Sequence, residues 1–355
     1  MIHSDHYTVY LIFFAFALAF SWLINSLFLK FASTLGMRNK DETVIRWSKT
    51  SKPSLGGISF YILFLLSLAS YPVVSGNTEQ LLADRQLLGF LAATTMAFLM
   101  GLADDAYNTR PFLKFFVQLL CSVILISTGT SIHLFHNDAI DYPLTALWVV
   151  GIMNSINMLD NMDAITTVVS ICIIGFGLYT QFLVNDFSNI YIFILFGVLG
   201  ALMGFLYFNW HPSKMFMGDT GSQFLGIILA SLGIVCFWNA RDVQGHEVQS
   251  KQAISTALIF IIPVCDTASV VLNRVMNGRS PFVGGRDHTT HNLFYRGITE
   301  RRIAVLFAGL TLLSGALDLL IFNITDWNYL HIALFSSWFV LVFGTLFYIV
   351  RKRSG

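Results

Sequence analysis

Four short segments of the chain concentrate the side chains able to do chemistry. In MGLADDAYNTR, Asp104 and Asp105 are adjacent at the end of an apolar run. Neighbouring carboxylates can hold a Mg²⁺ ion or divide the roles of base and metal ligand. In NSINMLDNMDAI, Asn154, Asn157, Asp160 and Asp163 recur every third residue, a spacing that keeps them on one broad stripe of a helix. In FNWHPSKMFMGDTGSQFLG, Gly218 and Gly221 bracket Asp219 and Thr220. Glycines there let the backbone approach a ligand closely. The helix expected to follow offers its N-terminus, with the Thr220 and Ser222 hydroxyls, to a phosphate. No Gly-Lys-Ser/Thr follows, so this is not a Walker A loop. The fourth segment, GRSPFVGGRDHTTHNLFYRG, gathers Arg279, Arg286, His288, His291 and Arg296. Guanidinium groups match phosphate oxygens, and histidine donates to them or exchanges protons. A zinc site would need further soft ligands, and no cysteine is near. Taken singly, each segment also has an ordinary reading: a solvated helix end, a polar cap, a tight turn capped by Asp219, and a basic loop.

The elements that must position these groups are membrane spans. Of 355 residues, 55% are hydrophobic and 12% charged, with a mean hydropathy of +0.67. A soluble domain carries about 25% charged residues, so a cytosolic enzyme, a nucleic-acid binder and a disordered chain are all excluded. The net charge of +1 argues for no polyanion partner. Apolar runs near 20 residues predict eleven spans: Tyr7–Leu29, Leu55–Val74, Gln86–Ala103, Phe112–Thr130, Pro143–Met158, Ile165–Val184, Ile190–Phe208, Ser222–Trp238, Ala253–Val275, Ile303–Phe322 and Tyr329–Val350. The fifth is short. Met1–His6 has no Lys or Arg, so the first span reads as a retained helix rather than a cleaved signal.

Counting along the spans, 18 of 21 Lys and Arg residues fall on one side, leaving Arg85, Arg241 and Lys251 on the other. The positive-inside rule then places the N-terminus outside and the C-terminus in the cytoplasm. The fold expected is an all-α polytopic membrane protein with one integral-membrane domain over 1–355. Loops 30–54, 104–111, 159–164, 209–221 and 276–302 form its cytoplasmic active-site face. The four cysteines all lie in apolar runs without CxxC spacing and read as small buried hydrophobes. Asp266, inside the ninth span, reads as a structural contact to Arg274 eight residues on. All four polar segments fall on the basic side. Acids for Mg²⁺, a glycine-flanked helix start and a basic His loop are the components of phosphoryl transfer. At a membrane face these suit a lipid phosphate and a soluble nucleotide.

These residues resemble the polyprenyl-phosphate N-acetylhexosamine-1-phosphate transferases, the glycosyltransferase 4 family, from about Lys30 to Arg302. In chain order the matching motifs are Pro53-Ser54-Leu55-Gly56-Gly57, Asp104-Asp105, Asn157 to Asp163, Phe216 to Ser222, Pro263 to Thr267 and His288-Thr289-Thr290-His291. The resemblance implies a Mg²⁺-dependent enzyme (Mn²⁺ as an alternative) with ten or eleven spans and a cytoplasmic active site. It implies that Asp219 is a metal ligand with Asn157 as second contact. Asp104 and Asp105 would meet the polyprenyl phosphate at the metal, one accepting its proton, and His288 would lie against the diphosphate. Asp160, Asp163 and Asn154 would serve the nucleotide side, with Arg279, Arg286 and His291 assisting and Lys49 reaching in from the first cytoplasmic loop.

Two departures stand out. Asn161 and Ala164 occupy positions that are usually glycine, and Thr290 replaces the middle histidine of a His-x-His-His pattern. The absence of a triple-His run points to the WecA/TagO-like branch, whose usual donor is UDP-GlcNAc. The expected partners are thus a UDP-N-acetylhexosamine, undecaprenyl or another polyprenyl phosphate and the lipid bilayer, with no nucleic acid and with a homodimer left open. The expected place is the inner (plasma) membrane, and the expected role is to start a wall polymer or lipopolysaccharide. Transfer of phospho-MurNAc-pentapeptide or of another N-acetylated 6-deoxyhexose phosphate is the alternative. A CDP-alcohol phosphatidyltransferase lacks its long acidic signature here. An ion-coupled transporter would hold its acids near the midplane, whereas nearly all the acids here fall at cytoplasmic helix ends and only Asp266 speaks for transport.

Overall fold

The computed structural model describes residues 2–32, 52–75, 84–184, 190–242, 244–280, 285 and 287–352. Lys49 and Arg286 lie outside the described residues. Thirteen α-helices are described, with no strand beyond one isolated bridge, Ser54 to Phe216. They are α1 Ile2–Phe31, α2 Gly56–Ser75, α3 Arg85–Tyr107, α4 Pro111–Ser127, α5 Asp138–Leu159, α6 Ile165–Val184, α7 Ile190–Asn209, α8 Gly218–Gly233, α9 Gln249–Ile259, α10 Ile261–Met276, α11 Thr289–Tyr295, α12 Glu300–Asn323 and α13 Tyr329–Arg351. A π-helical turn, Ile234–Trp238, extends α8. Among the described residues nine helices are long and apolar enough to cross a membrane, and α9 with α10 makes a tenth if that bent pair is one span. Adding the shorter apolar α4 gives one helix or helix pair for each of the eleven expected spans. The chain is an all-α polytopic membrane protein.

Two elements differ from expectation for clear reasons. The fifth span, short by its apolar run, is a 22-residue helix that starts at Asp138, where Asn137 caps it by accepting from Ala139 N–H, and Pro143 lies inside it. The ninth span is not continuous: α9 and α10 meet at an 80° bend around Phe260. Pro263 has no N–H to donate to the Ile259 carbonyl, so the ladder breaks there. Asp318 is a second intramembrane acid, fully buried in α12, so Asp266 is not alone within the spans.

α8 is the centre of the bundle, 94% of its best apolar window being buried, against 17% for α1 and for α13. Lipid tails are as apolar as leucine, so close packing and interhelical hydrogen bonds must hold such helices together. The Ser21 hydroxyl donates to Ala201 C=O (2.7 Å) between α1 and α7, and the Asn25 amide donates to Ser59 Oγ (3.0 Å) between α1 and α2. In the centre Gln118, Asn154 and Gln223 join α4, α5 and α8 through amide hydrogen bonds of 2.8 and 3.1 Å. Each such bond contributes about 0.6 kcal/mol in a membrane bundle. Close packing shows at Gly101 of α3, where a Cβ would come within 2.3 Å of the Asp219 carbonyl oxygen. All four cysteines are free thiols, three buried and Cys172 half-buried.

Candidate active site

The N-terminus of α8 is where the acids converge. The chain enters it through Phe216 and Met217, which are pinned to the first motif: Phe216 N–H donates to Pro53 C=O (2.9 Å), and Gly57 N–H donates to Met217 C=O (3.0 Å). Gly218 then adopts φ +73°, and a Cβ on it would lie 2.5 Å from Asp105 Oδ2. Only glycine meets both demands.

The first amides of α8 are already satisfied. Asp105, at the end of α3, accepts from Asp219 N–H (3.1 Å), Thr220 N–H (2.9 Å) and the Thr220 hydroxyl (2.6 Å). This corrects two expectations. A carboxylate from another helix, not Asp219, caps α8, and the helix start is not an open phosphate cradle. The acid doublet is divided by this arrangement. Asp104 turns the other way, accepting from Thr109 N–H (2.8 Å) and the Thr109 hydroxyl (2.6 Å), and pairs with the Lys114 ammonium.

Lys114 also lies 3.4 Å from Asp219 Oδ1 and so bridges Asp104 to Asp219. The sequence reading missed its role and counted it only as an inside charge. A lone lysine inside the otherwise uncharged α4 was the available signal. Asn157 completes the group, its amide donating to Asp219 Oδ1 (2.5 Å) and to Ser222 Oγ (2.8 Å).

The stripe from Asn154 to Asp163 does not survive as one helical face, because α5 ends at Leu159. Asn154 points instead into the buried amide network with Gln118. Asp160 follows the helix end. Burial first, and then the facing charges of Asp219, Asp105 and Asp163, push its carboxyl up to about 8. Asp163 is buried on the far side of the turn, and both its oxygens are engaged: by Ser213 N–H (2.9 Å), the Ser213 hydroxyl (2.6 Å) and His211 Nδ1 (3.0 Å). Lys52 stands 3.8 Å from Asp163, and Glu300 stands 3.5 Å from His211. The turn is made by Ala164 at φ +65°, a left-handed conformation that explains the expectation of glycine there.

The basic loop is partly dispersed. His288 and His291 are buried with ring centroids 5.7 Å apart. Arg279 is exposed beyond α10, and Arg296 leaves the group to donate to Ile349 C=O (2.9 Å). Asp266 does not meet Arg274 as expected. It accepts from Thr289 N–H (3.1 Å) and faces His288, while Arg274 grips Asp287 with Nε at 2.8 Å. Burial alone would raise the Asp287 carboxyl, but the Arg274 guanidinium holds it below the usual carboxylate range. The Thr290 hydroxyl donates to Asn161 Oδ1 (2.6 Å), which ties α11 to the acid loop.

The result is a cleft of carboxylates in excess over cations. Asp105, Asp160, Asp163 and Asp219 repel one another, and Lys114 and Lys52 offset only part of this. Carboxylate and amide oxygens with unrelieved negative charge fit a hard divalent cation, with Asp219, Asp160 and the Asn157 amide oxygen as the groups to hold it. The helix tied to this loop by Thr290 carries the buried pair of histidines.

Known proteins share the stretch of chain that builds this site. The glycosyl transferase family 4 model matches residues 87–237, the stretch carrying Asp104, Asp105, Asn157, Asp160, Asp163 and Asp219. A probable undecaprenyl-phosphate N-acetylglucosaminyl 1-phosphate transferase of Bacillus subtilis is 24% identical over 300 residues, covering 82% of this chain and 78% of its own. A decaprenyl-phosphate N-acetylglucosaminephosphotransferase of Mycobacterium leprae is 25% identical, covering 72% and 70%. A phospho-N-acetylmuramoyl-pentapeptide-transferase of Staphylococcus aureus is 29% identical, covering 76% and 85%. A polytopic bundle with this acid cleft, and with such relatives, is a membrane phosphoglycosyl transferase. More narrowly, the chain is similar over most of its length to polyprenyl-phosphate N-acetylhexosamine-1-phosphate transferases.

Proposed function

We propose that this enzyme transfers N-acetylglucosamine-1-phosphate from UDP-N-acetylglucosamine to undecaprenyl phosphate with Mg²⁺ (or Mn²⁺), releasing UMP at the cytoplasmic face of the inner membrane. The observation that carries the reading is the cluster at the start of α8, where Asp104, Asp105, Lys114, Asn157 and Asp219 meet from four helices. The lipid phosphate oxygen attacks the β-phosphorus, the bond to the oxygen bridging the α-phosphorus breaks, and UMP departs with that oxygen. A phosphate monoester with a second pKa near 6 is already largely ionised at neutral pH. The nucleophile therefore needs no strong base, in keeping with both Asp104 and Asp105 being engaged within the protein.

Asp219 and Asn157, with Asp160 beside them, would hold the metal, which when bound neutralises the diphosphate and polarises its phosphorus. Lys114 restrains Asp104 and Asp219 against each other, and Asp105 fixes the backbone from which Asp219 projects. His288 and His291 offer ring nitrogens to the charge that builds on the leaving phosphate. UMP release from UDP-N-acetylglucosamine, in membranes supplied with undecaprenyl phosphate and Mg²⁺, tests the reading. Asp219→Ala, Asp105→Asn and Lys114→Met are each expected to lose 10²-fold or more, roughly what removal of one preorganised electrostatic group costs. Full activity in all three would overturn the site assignment.

The 29% identity to the Staphylococcus aureus relative favours a second donor, UDP-N-acetylmuramoyl-pentapeptide. Competing UDP-sugars in the same assay decide between the two.

A further inference from the structure

Asp266 lies in the second turn of α10, just past the break at Phe260, and is 1% exposed. An ionised carboxyl inside a spanning helix is costly unless it is paired. Its partners lie on two consecutive residues of the chain: Oδ1 accepts from Thr289 N–H (3.1 Å), and Oδ2 stands 3.5 Å from His288 Nδ1. Two turns further along α10, Arg274 grips Asp287 through Nε (2.8 Å) and Nη2 (2.5 Å). Residues 287–289 are thus held by side chains of a single membrane helix.

The two α10 contacts have different consequences. Arg274 and the Thr289 N–H bond fix the backbone, whereas the second oxygen of Asp266 acts on the imidazole itself. A carboxylate on Nδ1 selects the tautomer protonated there and leaves the Nε2 lone pair as the ring's acceptor, able to take a proton from a substrate oxygen and return it to the leaving one, as an orienting acid does in catalytic histidines. The other groups facing His288 do not compete for Nδ1. Asp287 is committed to Arg274, and His291 lies across with a ring separation of 5.7 Å. The Thr290–Asn161 bond then sets the histidine helix beside Asp160.

We propose that Asp266 is a positioning residue that acts through His288, presenting its Nε2 to the phosphoryl group in transit. The proposal rests on the transferase reading above. It is tested with full-length wild type, Asp266→Asn, His288→Gln and the double variant, purified in detergent. Asparagine keeps an acceptor for Thr289 N–H, so the backbone anchor survives and the charge on the ring does not.

Asp266→Asn is expected to lower kcat roughly 10- to 100-fold, with the donor KM within twofold and Tm unchanged. Asp266→Glu recovers part of the loss. In the His288→Gln background Asp266→Asn costs nothing further, because both changes interrupt one interaction. Losses that multiply, or that appear in KM and Tm instead, overturn the proposal. A second readout needs no turnover: ¹⁵N-histidine spectra, with His288 assigned by its absence in His288→Gln, report the tautomer. Wild type is expected to show His288 protonated at Nδ1, and Asp266→Asn the form protonated at Nε2, because an amide that keeps its oxygen on Thr289 N–H turns its NH₂ toward Nδ1. The same tautomer in both overturns the positioning role. Should wild type release no UMP, the transferase reading falls, and the spectra still decide the Asp266–His288 pairing.

Discussion

At the scale of single residues, the site is defined by what the acids face. Burial pushes the Asp160 carboxyl up to about 8 from an ordinary value of 3.8, so the folded protein binds a proton there more tightly than the unfolded chain does. The sign follows directly: across that window the unfolded state binds fewer protons, and folding stability falls as pH rises from about 4 to about 8. In chelator, Tm is expected to drop between pH 6 and 9, and Asp160→Asn is expected to flatten that drop. A pH-independent wild-type Tm would refute the crowding of carboxylates. Ala164 makes the opposite kind of statement, about backbone. It sits at φ +65° and is 1% exposed, so its Cβ is strained in a place where glycine would be relaxed. Ala164→Gly is expected to raise stability by up to about 1 kcal/mol, read as a higher Tm with UMP release unchanged.

At the scale of elements, the site depends on joints between segments far apart in the chain. Asp105 of α3 caps α8, the Pro53–Gly57 segment pairs with the entry to α8, and Thr290 of α11 bonds Asn161 beside α5. The last joint links two of the three positions, Asn161, Ala164 and Thr290, at which the chain departs from the family pattern. Thr290 is fully buried, so Thr290→Val keeps the shape but leaves Asn161 Oδ1 without its donor. A loss of about 1–3 kcal/mol in stability is expected. Exchanging both partners, Asn161→Gly with Thr290→His, is expected to retain more UMP-releasing activity than either exchange alone, since contacting residues couple. A double variant weaker than both singles would show that the two positions act independently.

At the scale of the whole molecule, the bundle sorts its charges by face. The acid cleft forms from helix ends that the Lys and Arg distribution assigns to one side, while Arg241, Asp242, Glu247 and Lys251 pair among themselves in the segment between α8 and α9 and the start of α9. Arg279 and His246 are exposed and belong to the two opposite sets, which makes them reporters of orientation. With the four native cysteines replaced, His246→Cys is expected to react with an impermeant maleimide on intact cells. Arg279→Cys is expected to react only after permeabilisation. The reverse pattern would invert the topology and remove the cleft from the cytoplasm.

Much of this molecule was legible one residue at a time. Apolar runs near 20 residues located the spans because lipid forces every backbone group to be satisfied within its own helix, a local constraint. The acids of the cleft were recognisable because charge within such a sequence is rare and needs a reason. What the tertiary structure alone decided is which partner each of them has. Asp105 is a helix cap and Asp104 an ion pair, though they are neighbours in sequence. Asp163 is held by Ser213 and His211, and Asp266 belongs to a histidine rather than to the arginine on its own helix. Periodicity and charge bias are properties of short stretches of chain, so sequence alone determined the spans and the kind of chemistry. A hydrogen bond between residues a hundred or more apart depends on how helices cross, and only the packed bundle specifies that.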